Sequence, residues 1–331
     1  MSAPERDPRP AYPVPVSMII PTYMRDRVLW DSVAALRGQM RDGDELLVID
    51  QNRPPLRAPE GMEGPWLRLC RLDAPSLTRA RNLGISLARH DRIVFLDDDI
   101  IPAADLLDRL KQLSLEHPDR ILTGVVDQDD KPADVPTPGY VNLDNGEIRT
   151  NFSRPFTGEV PFFPGCLSLV PKACLPPAPC FCPSFKGASQ GEEIDFSLRV
   201  RSRGVRILSD PSIRIFHLKV VEGGCRSPEF RRRFFLDQVF NQSLFFGRHG
   251  ALLRLPAFWK RMKGFVEFHS RKEGGRAHSP WLVAAALGRM AGGVMTGVRY
   301  RWGDASGVGS TGKYPGTAAA PLGVGSRELN T

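Results

Sequence analysis

The chain has 331 residues, of which 41% are hydrophobic and 25% charged, and carries a formal net charge of +8. That balance excludes a disordered or fibrous polymer and provides for one large domain or two closely packed ones. The six cysteines lack paired metal-site spacing, and Cys180-Phe181-Cys182 has no second pair, so reduced thiols are expected rather than a disulfide framework or a zinc scaffold.

Residues 1–14 combine proline and charge without an apolar core, which predicts a disordered tail rather than a signal peptide or a membrane span. Val16 to Tyr23 reads as a first strand, Arg27 to Met40 as a helix, and Asp44 to Asn52 as a second strand. Strand, helix and strand in that space predict a βαβ unit and a parallel sheet. A Pro-rich link over 53–65 leads to a short strand at 67–72. Ser76 then stands as N-cap of a helix over 77–89, with Arg79, Arg81 and Asn82 in its first two turns. Arginine is not what a helix N-terminus prefers, so these cations are expected to serve another partner.

Arg92 to Ile100 is the organising stretch. Ile93-Val94-Phe95-Leu96 predicts a strand buried on both faces, and it stops on Asp97-Asp98-Asp99 before Pro102 opens a helix over 103–113. Acids at the carboxyl edge of a parallel sheet lie where such folds bind ligands, and three together call for a cation among them. A hard divalent ion with oxygen ligands is the expected neutraliser. The plainer alternative is an acidic loop capping the next helix. Asp50 closes its own strand at the same edge; it either caps a turn there or is a ligand group like Asp97, and the shared edge favours the second.

Residues 123–164 read as loop, and 165–170 as a short strand introduced by Gly165. Gly191 to Arg199 reads as a helix whose early acids, Glu192, Glu193 and Asp195, either complement the helix dipole or do chemistry. Two short strands, 204–208 and 213–217, follow around a turn at Asp210-Pro211. His217, at a strand end near carboxylates, is a candidate metal ligand. Helix is expected from 230 to 301. Within it, Trp281 to Val298 has Arg289 at its centre and suits packing or an interface better than spanning a membrane. Between 221 and 280, twelve Lys or Arg face five acids, a balance of +7 interleaved with Phe and Trp. That pattern predicts docking of 221–300 on an anionic membrane surface, placing the protein in the cytoplasm and peripherally on the inner membrane face. Nucleic acid is the disfavoured alternative, since no recognition motif is present. Residues 303–331 read as a disordered tail.

Five stretches now align with something known. Val16 to Tyr23, the Asp50 strand, Thr78-Arg79-Ala80-Arg81-Asn82-Leu83-Gly84, Phe95 to Asp99, and Gly191 to Arg199 together resemble the family 2 glycosyltransferases, in that family's order, over about residues 15–220. The resemblance implies a GT-A fold: an α/β, Rossmann-like, mainly parallel sheet with helices on both faces, here with a C-terminal helical extension. It divides the chain into a nucleotide-sugar-binding half (15–125), an acceptor-binding and catalytic half (126–220) and a basic helical region (221–302). It further implies a nucleotide-diphosphate sugar as donor, a Mn²⁺ or Mg²⁺ ion, a glycan or lipid-linked acceptor, and inversion at the anomeric carbon. Pro21 and Thr22 would border the nucleotide, with Tyr23, Arg25, Arg79, Asn82 and Asp98 on the same side. Asp50 would meet the base, and Arg81 the base and ribose. Asp97 would meet the ribose or the ion, Asp99 the ion, and His217 the ion or the diphosphate. The base would come from Glu193, with Glu192 and Asp195 as rivals, because the usual Glu-Asp pair is here Glu-Glu. Val298-Arg299-Tyr300-Arg301-Trp302 lacks the initial Gln of the processive synthases' motif, so one sugar per encounter is expected. A nucleotidyltransferase would want a Gly-rich loop after the first strand, and Pro21 to Arg25 has no glycine. A non-catalytic nucleotide-sugar-binding protein on the same scaffold is the other alternative.

Overall fold

The computed structural model describes residues 14–128, 135, 138–224, 231–274 and 280–304. Most of the expected tails, and part of the basic run that follows Gly224, lie outside the described residues; residues 303 and 304, expected to open the C-terminal tail, instead end a helix. The N-terminal part begins β1 (Ser17–Thr22), α1 (Asp26–Arg37), β2 (Glu45–Asp50), β3 (Leu67–Arg71), α2 (Leu77–Leu87) and β4 (Arg92–Leu96). Strands β1, β2 and β4 are buried almost throughout, which is why they read as continuous apolar runs rather than alternating ones. Ser76 caps α2 by accepting from the Arg79 amide at 3.5 Å.

The chain continues through β5 (Ile100–Pro102), α3 (Leu106–Glu116), β6 (Ile121–Asp127), β7 (Gly139–Asn142), β8 (Glu147–Thr150), β9 (Gly158–Glu159), β10 (Leu167–Pro171), α4 (Glu192–Arg201) and β11 (Ile207–His217). A nine-stranded sheet forms in the order β3-β2-β1-β4-β10-β6-β11-β5, with β9 paired to β11. Strands β1 to β4 pair in parallel with one another, as does β6 with β11, whereas β10 runs antiparallel to both β4 and β6. Because β1 has β2 on one side and β4 on the other, the chain reverses its direction of winding there and opens a crevice at the carboxyl ends.

Two apolar layers hold the sheet. One packs α1 and α3 through Leu29, Val33, Leu36, Leu106 and Leu110; the other packs α2 and α4 through Ala80, Phe196 and Val200. Gly84 lies against β1 so closely that a Cβ there would come within 2.5 Å of Ile19.

Three expectations are corrected. The 123–164 stretch is not a loop: it carries most of β6 and all of β7 to β9. Residues 207–217 form one strand, with the register against β6 shifting between Ser209 and Arg214. Gly124 makes that shift possible, because a Cβ there would fall 1.9 Å from the Ile213 carbonyl oxygen. Pro102 does not open a helix; it ends β5, paired with β11 at the sheet border, where a missing N–H costs little.

The C-terminal helices are α5 (Arg231–His249), α6 (Leu255–Gly274) and α7 (Pro280–Asp304). α5 and α7 meet backbone to backbone. A Cβ on Gly297 would stand 2.2 Å from the Leu244 oxygen, one on Gly293 2.5 Å from the Phe240 oxygen, and one on Gly247 2.3 Å from the Val294 oxygen. No described helix is long and apolar enough to cross a membrane.

Candidate active site

The acidic cluster hangs at the carboxyl end of β4, as its sequence position requires. Past the end of β4 the chain bends, and Asp97 and Asp99 both meet His217, whose Nε2 lies 3.7 Å from Asp97 Oδ2 and 3.0 Å from Asp99 Oδ1. Asp98 meets other partners. It accepts from Thr22 Oγ1 at 2.7 Å and from Arg25 Nη1 at 3.0 Å. Burial pushes the Asp98 carboxyl up to about 6, with Arg25 opposing and Asp99 adding to the rise. Asp99 is held below the usual carboxylate range: burial works to raise it, but His217, Arg25 and the Val220 amide outweigh that.

Arg25 has a further task. Its guanidinium reaches the Val220 and Glu222 carbonyls at 2.6 and 3.3 Å as well as Asp99 at 3.1 Å, and so fastens the segment after β11 over the acids. Gly223 sits under the same turn; a Cβ there would fall 1.9 Å from the Met24 oxygen.

Arg81 is buried in the second turn of α2. It pairs with Glu192, reaches Asp97 at 3.2 Å and donates to the Gly165 carbonyl at 2.7 Å. Gly165 is required there, because a Cβ would stand 2.7 Å from the guanidinium. Glu192 Oε2 remains buried without a hydrogen-bond partner. Glu193, one residue on, is only partly buried. It lines a cavity of about 430 Å³ together with Glu192, Asp97, His217, Arg81 and Lys219. A narrower cavity beside it is walled by Pro21, Tyr23, Gln51, Leu77 and Asp97 to Asp99.

Several residues named from the sequence are placed elsewhere. Asp50 uses both oxygens locally: Oδ1 accepts from the Asn52 amide and side chain, and Oδ2 from the Leu56 amide and from Arg71 at 2.7 Å. It shapes the loop after β2. Asn82 clasps both the amide and the carbonyl of Phe181, at 2.9 and 2.7 Å. Arg79 is exposed on the outer side of α2. Asp195 is fully buried against the C-terminal helices, 2.7 Å from His249 Nε2 and 3.2 Å from Arg248 Nε. The Asp50 turn is local in sequence, but nothing near Asn82 or Asp195 signals their contacts. Gln51, Gln190 and Lys219, which do line the cleft, carry no motif either.

Among the described residues, one group could hold a metal ion: Asp97, Asp99 and His217, whose ligand atoms all lie within 4.8 Å of one another. Two carboxylates with one imidazole suit a Mg²⁺- or Mn²⁺-type ion, and Asp97, 30% exposed, keeps one side open to the cleft.

Comparison with known proteins fits this geometry. Residues 17–175 match the family model Glycosyl transferase family 2. The architecture is the GT-A fold. Solved structures similar to this chain include S. aureus TarS (residues 1–349), at 14% identity and a TM-score of 0.49, with 85% of this chain and 81% of that one covered. GalNAc-T7, solved with UDP, GalNAc and Mn²⁺, is 14% identical with a TM-score of 0.51, over 75% of this chain and 54% of that one. The chain thus spans about half of the GalNAc-T7 chain. No curated protein sequence matches significantly.

Proposed function

We propose that this protein transfers a sugar from a nucleotide-diphosphate donor to an acceptor hydroxyl by a single displacement with inversion. One observation carries the reading: Asp97 and His217, two of the three grouped potential ligands, share a cavity with Glu193 at the switch point of a GT-A sheet. Glu193 takes the proton of the acceptor hydroxyl while that oxygen's lone pair forms the new bond to the anomeric carbon. The bond from that carbon to the diphosphate oxygen breaks, and its electron pair leaves with the nucleoside diphosphate. Asp97, Asp99 and His217 would hold a Mn²⁺ or Mg²⁺ ion, which when bound offsets the charge gathering on the leaving diphosphate. Pro21, Tyr23 and Gln51 border the space for the nucleoside, and Arg25 keeps the covering segment in place. Glu192 also borders the cleft but is ion-paired with Arg81, and Asp195 is buried against His249; Glu193, the more exposed of the pair, is the carboxylate this reading assigns as base.

The test is a thermal-shift screen of UDP-, GDP-, CMP- and dTDP-sugars, each with Mn²⁺ and with EDTA. A ligand that binds only the folded state at a hundredfold excess over its Kd stabilises by about 2.7 kcal/mol. One nucleotide is expected to raise the melting point only with the ion present. No shift with any of the four would count against the donor assignment.

We further propose that the C-terminal region rests on the inner face of the cytoplasmic membrane beside a glycan or lipid-linked acceptor, in cell-surface polysaccharide or glycolipid synthesis. What supports this is the exposed surface of α6 and its approach, where Leu253 and Phe268 accompany Arg254, Lys260 and Lys263. Flotation with liposomes is expected to favour anionic over neutral lipid; equal recovery would remove this part of the reading.

A further inference from the structure

The cavity that holds Asp97 and His217 does not end at Glu193. A second cavity, of about 500 Å³, shares Thr150, Gln190 and Glu193 with it, so that Glu193 stands in the wall between the two. Its volume lies within the range of about 300–1,000 Å³ usual for small-molecule sites. The far wall comes from outside the family-matched segment: Gln242 on α5, with Arg261 and Phe265 on α6.

We propose that the C-terminal helices complete a subsite for one sugar ring of the acceptor, an inference that rests on the sugar-transfer reading above. A proton acceptor for the attacking hydroxyl has to face the acceptor, and Glu193 opens onto this second cavity as well as the first.

The chemistry of the walls favours a sugar over other anionic or apolar ligands. A hydroxyl both donates and accepts, so a ring bearing several of them needs both kinds of partner at close spacing. Glu147 and Glu193 bring acceptors, Arg149 and Arg261 donors, and the two signs balance; Arg149 donates to Glu147 at 2.9 Å, so that these two present a joined donor–acceptor pair. A phosphate site would carry an excess of positive charge, and a lipid-tail groove would be continuously apolar. Phe265, stacked on Phe235 with centroids 5.9 Å apart, adds an aromatic surface suited to the C–H side of a pyranose.

The subsite is also built rather than incidental. Arg261 is fixed by the Asn145 carbonyl and by Gln242 Oε1, both at 2.8 Å, and its guanidinium lies 5.6 Å from the Phe258 ring centroid. Because Gln242 spends its oxygen on Arg261, its amide orientation is set. Among the described residues its Nε2 has no partner, and it is left as a donor at the cavity wall. The helix that bears Glu193 is fastened to the helix that bears Gln242 through Asp195, His249 and Arg248. Base and subsite are thereby held in one frame, as proton transfer in a displacement requires.

The experiment is saturation-transfer NMR on the full chain with the methyl glycosides of glucose, galactose, N-acetylglucosamine and N-acetylgalactosamine. At least one glycoside is expected to bind the wild type. Gln242→Leu, which keeps the bulk and removes the amide, is expected to weaken that binding about tenfold or more. Glu147→Ala, at the partly exposed hairpin rim, gives the same readout should Gln242→Leu lose its melting transition. Absence of signal from all four glycosides, or a signal that neither substitution weakens, would overturn the subsite. The nucleotide screen separates the two ideas. Glycoside binding sensitive to Gln242→Leu, in a protein that no nucleotide-sugar stabilises, would keep the sugar subsite and discard the transfer reading.

Discussion

Glu193→Gln is expected to lower sugar transfer by about two to four orders of magnitude while leaving nucleotide-sugar binding in place, which is the usual contribution of a positioned general base. The substitution keeps the shape and one hydrogen-bonding oxygen but removes the basicity. Glu192→Gln is expected to behave differently. Glu192 is buried with Arg81 and faces a guanidinium rather than an acceptor, so its change should appear first in stability. The measurement is release of nucleoside diphosphate from the donor that the thermal-shift screen selects, with acceptor present, alongside the melting shift caused by that donor. Normal turnover in Glu193→Gln, with turnover abolished in Glu192→Gln, would transfer the base assignment to the first glutamate. Asp195→Asn serves as a further contrast. Its carboxylate is held below the usual range, although burial raises it, by Arg248, His249 and Arg199, and it meets helices rather than the cleft.

Arg81→Met is expected to cost about 3–5 kcal/mol of folding stability, because it leaves the buried Glu192 carboxylate without its counter-charge. Arg81 and Glu192 are each 2% exposed, so water is a poor replacement for the lost partner although both border the cleft. The Asp97 contact and the Gly165 carbonyl lose their donor at the same time. The double variant Arg81→Met/Glu192→Met is expected to recover most of the loss, since replacing both members of a buried pair by apolar groups of similar volume is far less costly than removing one. Urea denaturation of the two single variants and the double variant closes the cycle. A loss of under about 1 kcal/mol in Arg81→Met, the level of a surface ion pair, would mean that the pair is not the buried anchor the structure describes.

Legibility followed the range of the interactions. The run from Ile93 to Leu96, stopping on three aspartates, marked a buried strand and a charged sheet edge at once, because burial and chain direction are local properties of the sequence. Ser76 as a cap and the βαβ unit from β1 to β2 were legible for the same reason. The expected loop over 123–164 was not, since β6 carries Gly124, a residue that reads as a strand breaker. Here Gly124 is what allows the bulge in β11 to approach. Pro102 likewise reads as a helix start, and only its pairing with Ile215 shows it to be a strand end.

The same division runs through the site. Residue type and position along the chain determined by themselves that Asp97 to Asp99 end a buried strand, that His217 ends another, and that a Glu-Glu pair opens a helix. Which of the helix's carboxylates is ion-paired inside the protein was decided by partners far away in sequence. Arg81 engages Glu192 across 111 residues, and His249 engages Asp195 across 54. Asp50, alike in sequence to a ligand carboxylate, is absorbed by Asn52, Leu56 and Arg71. A carboxylate's role depends on which charges and donors surround it once water is excluded, and that environment is assembled only when distant segments pack together. The sequence by itself thus determined the first parallel strands, the acidic edge and the candidate groups. The tertiary structure alone decided which of them are neutralised inside the protein and which face the cleft.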